Sequence, residues 1–204
     1  MNATEKELET KKLLTKATFH KLAELFNHLP IEQFTQINYY YDTENELFRK
    51  QNTTCRIRQI GNYLKGTKKT HAMKENSMYS VEQSFIPTDF TESFVIDNER
   101  VFLKGQMTTE RMIVPLAPDI NLMLDQNMYL GTVDYELELE FSQEYKAEVV
   151  GMMKLIDSII NIHEFSPSLS KSERFFERLH QIREESQAQS QPNRDCISGQ
   201  ENQS

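Results

Sequence analysis

The stretch Asp134-Tyr-Glu-Leu-Glu-Leu-Glu-Phe141 alternates strictly between acidic and apolar residues. Successive side chains of an extended strand point to opposite faces, so one face carries three glutamates, Glu136, Glu138 and Glu140. Neighbours on one face lie roughly 6–7 Å apart, and ionised carboxylates at that spacing repel each other unless cations lie among them. The stretch therefore predicts either an edge strand with one solvated face or one wall of a cation-binding interior.

The composition of the whole chain indicates one soluble domain. It has 204 residues, of which 38 % are hydrophobic and 26 % charged, and this fits a single core. The net charge of −8 argues against nucleic acid and anionic membranes as partners, so a phosphate site would have to be a local cationic pocket. Cys55 and Cys196 are interpreted as reduced thiols. No stretch is long and apolar enough to span a bilayer, and we expect a cytoplasmic protein.

The N-terminal residues divide into an ambiguous segment and a clear helix. Residues 4–14 have the composition of a helix, but as a strand they would place several glutamates and Lys11 on one face. Local propensity alone favours the helix. In residues 15–29 apolar side chains recur at three- and four-residue steps behind Thr15, an expected N-cap, which predicts an amphipathic helix.

Two predicted strands at residues 34–43 and 54–60 are rich in aromatic and β-branched side chains. The second places Arg56 and Arg58 on one face, and the turn dipeptide after it predicts a hairpin whose returning strand carries three lysines, Lys65, Lys68 and Lys69. Cations that face each other across a hairpin repel by up to roughly 1 kcal/mol per close pair. A bound anion would relieve that repulsion, and so would side chains that spread into water.

Alternation further along the chain predicts strands at residues 79–85, 107–114 and 121–125, with Arg111 in the middle of the second. Between the first two, Thr88-Asp-Phe-Thr-Glu92 has the chemistry of a helix cap and predicts a helix that reaches about Leu103.

Two helices are expected in the C-terminal part. Ser142 is the predicted cap of a long amphipathic helix, and Ser170-Lys-Ser-Glu173 matches the capping box of a final one. Lys171 and Arg174 in the first turn of that helix oppose its positive end, which suggests that they have another role. The residues after about 182 are almost all polar, so we predict a domain at 1–182 and a disordered tail at 183–204.

About eight strands with one charged and one apolar face can form two architectures. In an open sheet covered by helices the charged face would meet bulk solvent. In a closed barrel the same face would line a wet interior. Composition does not choose between the two.

The motif Glu7-Leu-Glu9-Thr-Lys11 resembles the E-x-E-x-K signature of the CYTH, or triphosphate tunnel metalloenzyme, family, and the chain is most similar to its small bacterial members. Other segments resemble family motifs in the family's order over about residues 5–180: Asn38–Thr43, Arg56-x-Arg58, Lys68, Glu82, Thr108–Arg111, Leu124-Asp125 with Tyr129–Gly131, the row Glu136, Glu138 and Glu140, and Lys171–Arg174.

This resemblance implies an α+β fold, a closed eight-stranded antiparallel β-barrel with flanking helices, in which residues 4–14 form a strand. The resemblance also implies a triphosphate site with Mg²⁺ or Mn²⁺ as cofactor. The implied phosphate-binding residues are Lys11, Arg56, Arg58, Lys68, Arg111, Lys171 and Arg174. The implied metal ligands are Glu7, Glu9, Glu82, Asp125, Glu136, Glu138 and Glu140. The residues expected nearest the reaction are Lys11, Glu136 and Glu138.

The function implied by the resemblance is a divalent-metal-dependent triphosphatase that hydrolyses inorganic triphosphate or a related triphosphate compound. One alternative is an adenylate cyclase or a thiamine or nucleoside triphosphatase on the same fold. Another is a non-catalytic polyphosphate or nucleotide sensor that keeps the basic residues. The sequence leaves open the physiological substrate, the preferred metal, whether the protein is a monomer or a homodimer, and which of Lys65, Lys68 and Lys69 faces the interior.

Overall fold

The computed structural model describes residues 8–74, 77–87, 89–141, 146–160 and 169–189. The chain separates into two compact units, residues 1–169 and residues 170–204. The predicted helix cap Ser142 lies outside the described residues. In the part of the chain that the structure describes, no helix is long and apolar enough to cross a membrane.

The first unit consists of a sheet and three helices over its described residues. Its strands are β1 (Leu8–Leu14), β2 (Glu32–Asp42), β3 (Thr53–Ile60), β4 (Tyr63–Lys74), β5 (Ser77–Phe85), β6 (Ser93–Ile96), β7 (Glu99–Ala117), β8 (Ile120–Tyr129) and β9 (Thr132–Phe141). Its helices are α1 (Lys16–Phe26), α2 (Leu47–Lys50) and α3 (Lys146–Ile160).

All these strands join one antiparallel sheet. The order is β1-β9-β8-β7-β2-β3-β4-β5, and β6 pairs with β7 outside this path. Within the described residues no hydrogen-bonded ladder joins the edge strands β1 and β5. The prediction of a closed eight-stranded barrel is therefore wrong in two respects, because the sheet has nine strands and hydrogen bonds do not close it.

The additional strand comes from a segment predicted to be helical. β6 pairs with the start of β7 through the two-residue turn Asp97-Asn98, whose φ angles are 51° and 64°. A type I′ hairpin turn requires positive φ at both central residues, and Asp and Asn tolerate that conformation well. The predicted helix up to Leu103 is therefore wrong, because the turn chemistry of Asp97-Asn98 outweighs the cap-like residues before it.

The ambiguous N-terminal segment is a strand over its described residues, as the family resemblance implies. β1 pairs with β9 along its whole length, with Lys11 opposite Glu138 and Leu14 opposite Tyr135. An opposite-charge pair across two strands stabilises a sheet by about 0.2–1 kcal/mol, and the side chain of Leu14 is also buried. Pairing with β9 over all seven residues thus makes the segment a strand although its local propensity favours a helix.

One face of the sheet, which we call the apolar face, packs against helices. α1 begins behind Thr15, whose Oγ1 accepts a hydrogen bond from the amide of Thr18 at 3.1 Å, as predicted. An ion pair of 2.8 Å between Lys12 Nζ and Asp157 Oδ1 joins β1 to α3. A smaller apolar cluster surrounds Cys55. The main cluster contains Leu14, Leu22, Met112, Val114, Ile120, Leu122, Leu124, Leu137, Leu139, Phe141, Val149, Met153 and Ile156.

The second unit contains helix α4 (Lys171–Gln189). The predicted capping box is present, because the Ser170 hydroxyl accepts a hydrogen bond from the Glu173 amide at 3.2 Å and the Glu173 carboxylate accepts one from the Ser170 amide at 2.7 Å. The helix continues to Gln189, beyond the domain boundary predicted at residue 182.

Candidate functional site

Strand pairing brings most of the predicted site residues to one face of the sheet. Residues directly opposite each other in an antiparallel pair point to the same side, as does every second residue of a strand. Lys11 lies opposite Glu138. Asp125 lies opposite Glu136 on one side and Arg111 on the other, and β2 continues this face to β3. We call it the charged face, and it carries Glu9, Lys11, Arg56, Arg58, Arg111, Asp125, Glu136, Glu138 and Glu140.

Three carboxylates on the charged face form a compact group, which we call the acidic trio. Asp125, Glu136 and Glu138 each offer an oxygen, and these oxygens lie within 4.8 Å of one another. The three residues are 0 %, 0 % and 6 % exposed. Ionised carboxylates that are so close and so buried repel each other strongly unless cations lie beside them.

Arg111 lies against the acidic trio. Its Nε and Nη2 donate hydrogen bonds to the two oxygens of Asp125 at 2.8 and 2.6 Å, and Nη2 also donates to Oε2 of Glu138 at 2.7 Å. Burial acts to lower the pKa of Arg111, but the hydrogen bonds and charges of these carboxylates outweigh it and raise that pKa above its usual value. The carboxyl groups of the trio outnumber this guanidinium, and a divalent cation beside them would counteract their mutual repulsion.

Two arginines on β3 extend the charged face. Nε of Arg58 donates to Oδ1 of Asn38 at 2.9 Å, and Nε of Arg56 donates to Oγ1 of Thr67 at 3.2 Å. Burial, together with the positive charges of Arg56 and Arg111, lowers the pKa of Arg58 to about 9. An anion beside Arg58 would counteract the repulsion among these cations, so this part of the face favours a negatively charged ligand.

Lys11 and Glu9 lie on the same face of β1. Nζ of Lys11 donates to Oε1 of Glu9 at 3.1 Å. Glu140 lies opposite Glu9, and it does not belong to the group of carboxylates that share a 4.8 Å neighbourhood in the described residues. Of the row of three glutamates predicted as metal ligands, two therefore join Asp125 in the acidic trio.

Lys68 lies on the opposite side of the sheet from the arginines, which corrects its predicted position. It pairs with Cys55 of β3, a residue of the apolar face. Its ammonium group bonds to Asp97 and lies 4.7 Å from the ring centroid of Phe48. The side chain thus packs over a small apolar cluster and is held there by a carboxylate, away from Arg56.

Lys65 and Lys69 of the same strand point to the charged side instead. Lys65 lies directly opposite Arg58, and Lys69 follows it at an even spacing along β4. Glu82 lies opposite Lys69 on β5, so it shares that side, and its side chain is exposed. These three residues extend the charged face toward the other edge of the sheet.

Three of the predicted residues lie outside the described residues or in the second unit. Glu7 lies outside the described residues. Lys171 and Arg174 lie in the first turn of α4, in the second unit. The roles that the family resemblance implies for them stay predictions.

Two neutral residues on the charged face were not among the predicted site residues. Gln36 and Asn38 of β2 are 1 % and 0 % exposed, and they alternate with apolar-face residues in the same way as the neighbouring arginines do. The sequence signal is their even spacing with Tyr40, and of the two only Asn38 belongs to the segment Asn38–Thr43, which resembles a family motif. That signal is weak, because polar side chains at alternate positions are also typical of solvated strands.

Comparison with known proteins gives the family context of this geometry. The sequence matches the model of the CYTH domain over residues 5–166. It is 28 % identical over 148 residues to the Bacillus subtilis (strain 168) protein named "Putative triphosphatase YjbK", a match that spans 66 % of this chain and 76 % of that protein.

Solved structures resemble the fold. The "putative adenylate cyclase" bh2851 of Bacillus halodurans has a TM-score of 0.64 and 26 % identity, covering 83 % of this chain and 97 % of that one. HpAC1 of Hippeastrum, described as having a dominant triphosphatase activity, has a TM-score of 0.65 at 17 % identity, over 84 % and 94 % of the two chains. At such identity the likeness concerns the fold alone. Since the domain match extends over most of the sequence, the chain belongs to the CYTH family.

Proposed function

We propose that this protein is a metal-dependent triphosphatase that hydrolyses inorganic triphosphate or a related compound with a free terminal phosphate. The observation that carries the proposal is the presence, on one largely buried face, of the acidic trio beside the three arginines Arg56, Arg58 and Arg111. A ligand that is itself polyanionic and binds divalent cations suits both halves of that face. The name of YjbK and the description of HpAC1 support the same chemistry.

The acidic trio fits a divalent metal ion by its donor chemistry. Carboxylate oxygens are the hard ligands that Mg²⁺ and Mn²⁺ prefer. Asp125, Glu136 and Glu138 would hold the ion through oxygens that lie within 4.8 Å of one another. When bound, such an ion contributes positive charge next to phosphate oxygens and polarises a water molecule.

The arginines are proposed to bind and orient the phosphate chain. Guanidinium groups donate two parallel hydrogen bonds to a phosphoryl group, which fixes its direction as well as its position. Arg58 gains most from such a contact, because burial and its cationic neighbours already lower its pKa to about 9. Burial also keeps these donors in place before the substrate arrives, and donors of this kind contribute roughly 10²-fold or more each to the rate.

A phosphate-release assay tests the proposal. The purified protein is incubated with inorganic triphosphate, ATP and thiamine triphosphate, each with Mg²⁺ and with Mn²⁺. The Glu138→Gln variant removes one charge from the acidic trio at almost constant volume, and we expect turnover to fall by roughly 10²-fold or more. Glu110→Gln is the matched control, because Glu110 is an exposed residue of β7 adjacent to Arg111 in sequence but on the other side of the strand. Wild-type turnover by the Glu138→Gln variant would contradict the assignment of the metal site.

The same assay separates the proposed activity from its alternatives. An adenylate cyclase, the activity named for the Bacillus halodurans structure, would convert ATP to cyclic AMP and pyrophosphate. An organic triphosphatase would release phosphate faster from ATP or thiamine triphosphate than from inorganic triphosphate. Tight binding of triphosphate in calorimetry with no product under either metal would indicate a sensor.

A further inference from the structure

Two carboxamide side chains on the charged face have NH₂ groups without a hydrogen-bond acceptor among the described residues. They are Nδ2 of Asn38 and Nε2 of Gln36, and both atoms are buried. A buried N–H group without an acceptor destabilises a folded protein, and such groups are uncommon in native interiors. Two of them on one strand, two residues apart, point to a ligand that accepts from both.

The orientation of the Asn38 amide is fixed by its neighbour. Oδ1 of Asn38 accepts a hydrogen bond from Nε of Arg58 at 2.9 Å. A guanidinium donates hydrogen bonds and cannot accept them, so the opposite orientation of the amide would set two donors against each other. Nδ2 of Asn38 therefore points away from Arg58, and its neighbour across β7 is the apolar Met107.

Nε2 of Gln36 likewise has no hydrogen-bond partner among the described residues. Its neighbours across the ladders are Ile60 on β3 and Thr109 on β7. The hydroxyl of Thr109 already bonds to Oδ1 of Asn127 at 2.8 Å.

We propose that Gln36 and Asn38 form a neutral donor pair that binds oxygens of the same polyanion as the arginines. The inference rests on the proposed function and adds two positioning and specificity residues to it. Same-face neighbours on a strand lie roughly 6–7 Å apart, so the two amides reach different oxygens of an extended condensed phosphate. Because they carry no charge, they add direction to the site without adding to the repulsion among Arg56, Arg58 and Arg111.

The test uses inorganic triphosphate without metal, measured by isothermal titration calorimetry on the full chain. Gln36→Leu replaces the amide by an apolar group of similar size. A lost hydrogen bond to a charged oxygen corresponds to about 10- to 100-fold weaker affinity. The melting temperature of the unliganded variant should stay equal or rise, because an unpaired buried amide is removed. Affinity and stability thus move in opposite directions, which a purely structural role of Gln36 would not produce.

Two matched comparisons sharpen the experiment. Gln33→Leu changes the same residue type on the same strand at an exposed position of the apolar side, and its affinity for triphosphate should equal that of the wild type. Arg58→Met should weaken binding and also reduce the dependence of affinity on salt concentration, whereas Gln36→Leu should leave that dependence unchanged. Asn38 is kept intact because its carbonyl oxygen also holds Arg58.

Nuclear magnetic resonance of the wild-type protein provides a reading that does not depend on any variant. The side-chain amide signals of Gln36 and Asn38 should shift on addition of triphosphate, and the signal of Gln33 should not. Wild-type affinity in Gln36→Leu, or amide signals that do not move, would overturn the inference. If Arg58→Met loses binding while Gln36→Leu retains it, the proposed function stands and the donor pair fails. If the wild-type protein binds triphosphate neither without metal nor with Mn²⁺, both fail.

Discussion

Replacing Arg111 by Met isolates the electrostatics of the acidic trio. Arg111 is the cation that bonds to both Asp125 and Glu138, through contacts of 2.6 to 2.8 Å, and its side chain is 10 % exposed. Methionine keeps the unbranched apolar stem and removes the guanidinium. The variant therefore leaves three buried carboxylates within 4.8 Å of one another without this partner.

The size of the effect follows from this arrangement. Removing one partner of a buried ion pair costs about 3–5 kcal/mol, because the other charge remains buried and uncompensated. In domains of this size 1 kcal/mol corresponds to roughly 2–4 °C in melting temperature, so we expect a decrease of roughly 6–20 °C at pH 7 in metal-free buffer. Millimolar Mn²⁺ should raise the melting temperature of the variant more than that of the wild type, because removal of the guanidinium takes one positive charge away from the carboxylates.

Differential scanning calorimetry with chelator and with Mn²⁺ measures both effects. Arg49→Met is the control, since its contact with Glu46 is 3.6 Å long and its side chain is 36 % exposed. A surface pair of this kind is worth at most about 1 kcal/mol. If Arg111→Met melts within 2 °C of the wild type in metal-free buffer, where roughly 2–4 °C corresponds to 1 kcal/mol, the carboxylates are not held together by Arg111 as described.

The remaining predictions concern two faces of the same hairpin. Lys68→Met should keep triphosphate affinity within about twofold and Lys69→Met should lower it about tenfold or more, because only Lys69 shares the side of the arginines; equal losses in calorimetry would contradict this assignment. Burial raises the pKa of the Cys55 thiol to about 12 from its ordinary value of 9, so the thiol form is favoured in the folded protein. Its contribution to stability is complete below pH 9 and is lost as the pH rises from 9 toward 12. Urea unfolding at pH 8 and pH 10.5 measures the free energy of unfolding at each pH. Between these two values it should decrease less for Cys55→Ala than for the wild type, and equal decreases would refute the burial argument.

The side of the sheet on which the glutamates of residues 134–141 lie was predictable from the sequence. Strict alternation in residues 134–141 places Glu136 and Glu138 on one side, and the structure has them there in the acidic trio. Which third carboxylate completes the group depends on strand pairing across the sheet, and Asp125 takes that place while Glu140 does not. Alternation gives the side of a residue but not its neighbour on the next strand, since the register is a tertiary property.

The side of the sheet on which Lys68 lies could have been predicted from the turn before its strand. Gly61-Asn62 is a two-residue turn, so residue numbers across the hairpin add to a constant, and Ile60 opposite Tyr63 fixes it. The same count puts Lys65 opposite Arg58 and Lys68 opposite Cys55. The hairpin at Asp97-Asn98 likewise has its signal in the turn residues, and a neighbouring cap-like segment obscured it. Closure of the sheet has no local signal at all, because it depends on where the two edge strands end.

In the edge strand β1, the predicted metal ligand Glu9 also helps to determine the register with β9. Its residues Lys11-Lys12-Leu13-Leu14 come in identical pairs, so a slip by one position relative to β9 would keep a lysine and a leucine on one face and change the residues on the other. Glu9 also opposes such a slip, since it would turn the carboxylate of Glu9 onto the apolar face. A variant of Glu9 would therefore lose a proposed metal ligand and the specification of pairing at the same time. Loss of activity in that variant has two physical causes, and only a measurement of the β1–β9 pairing can separate them.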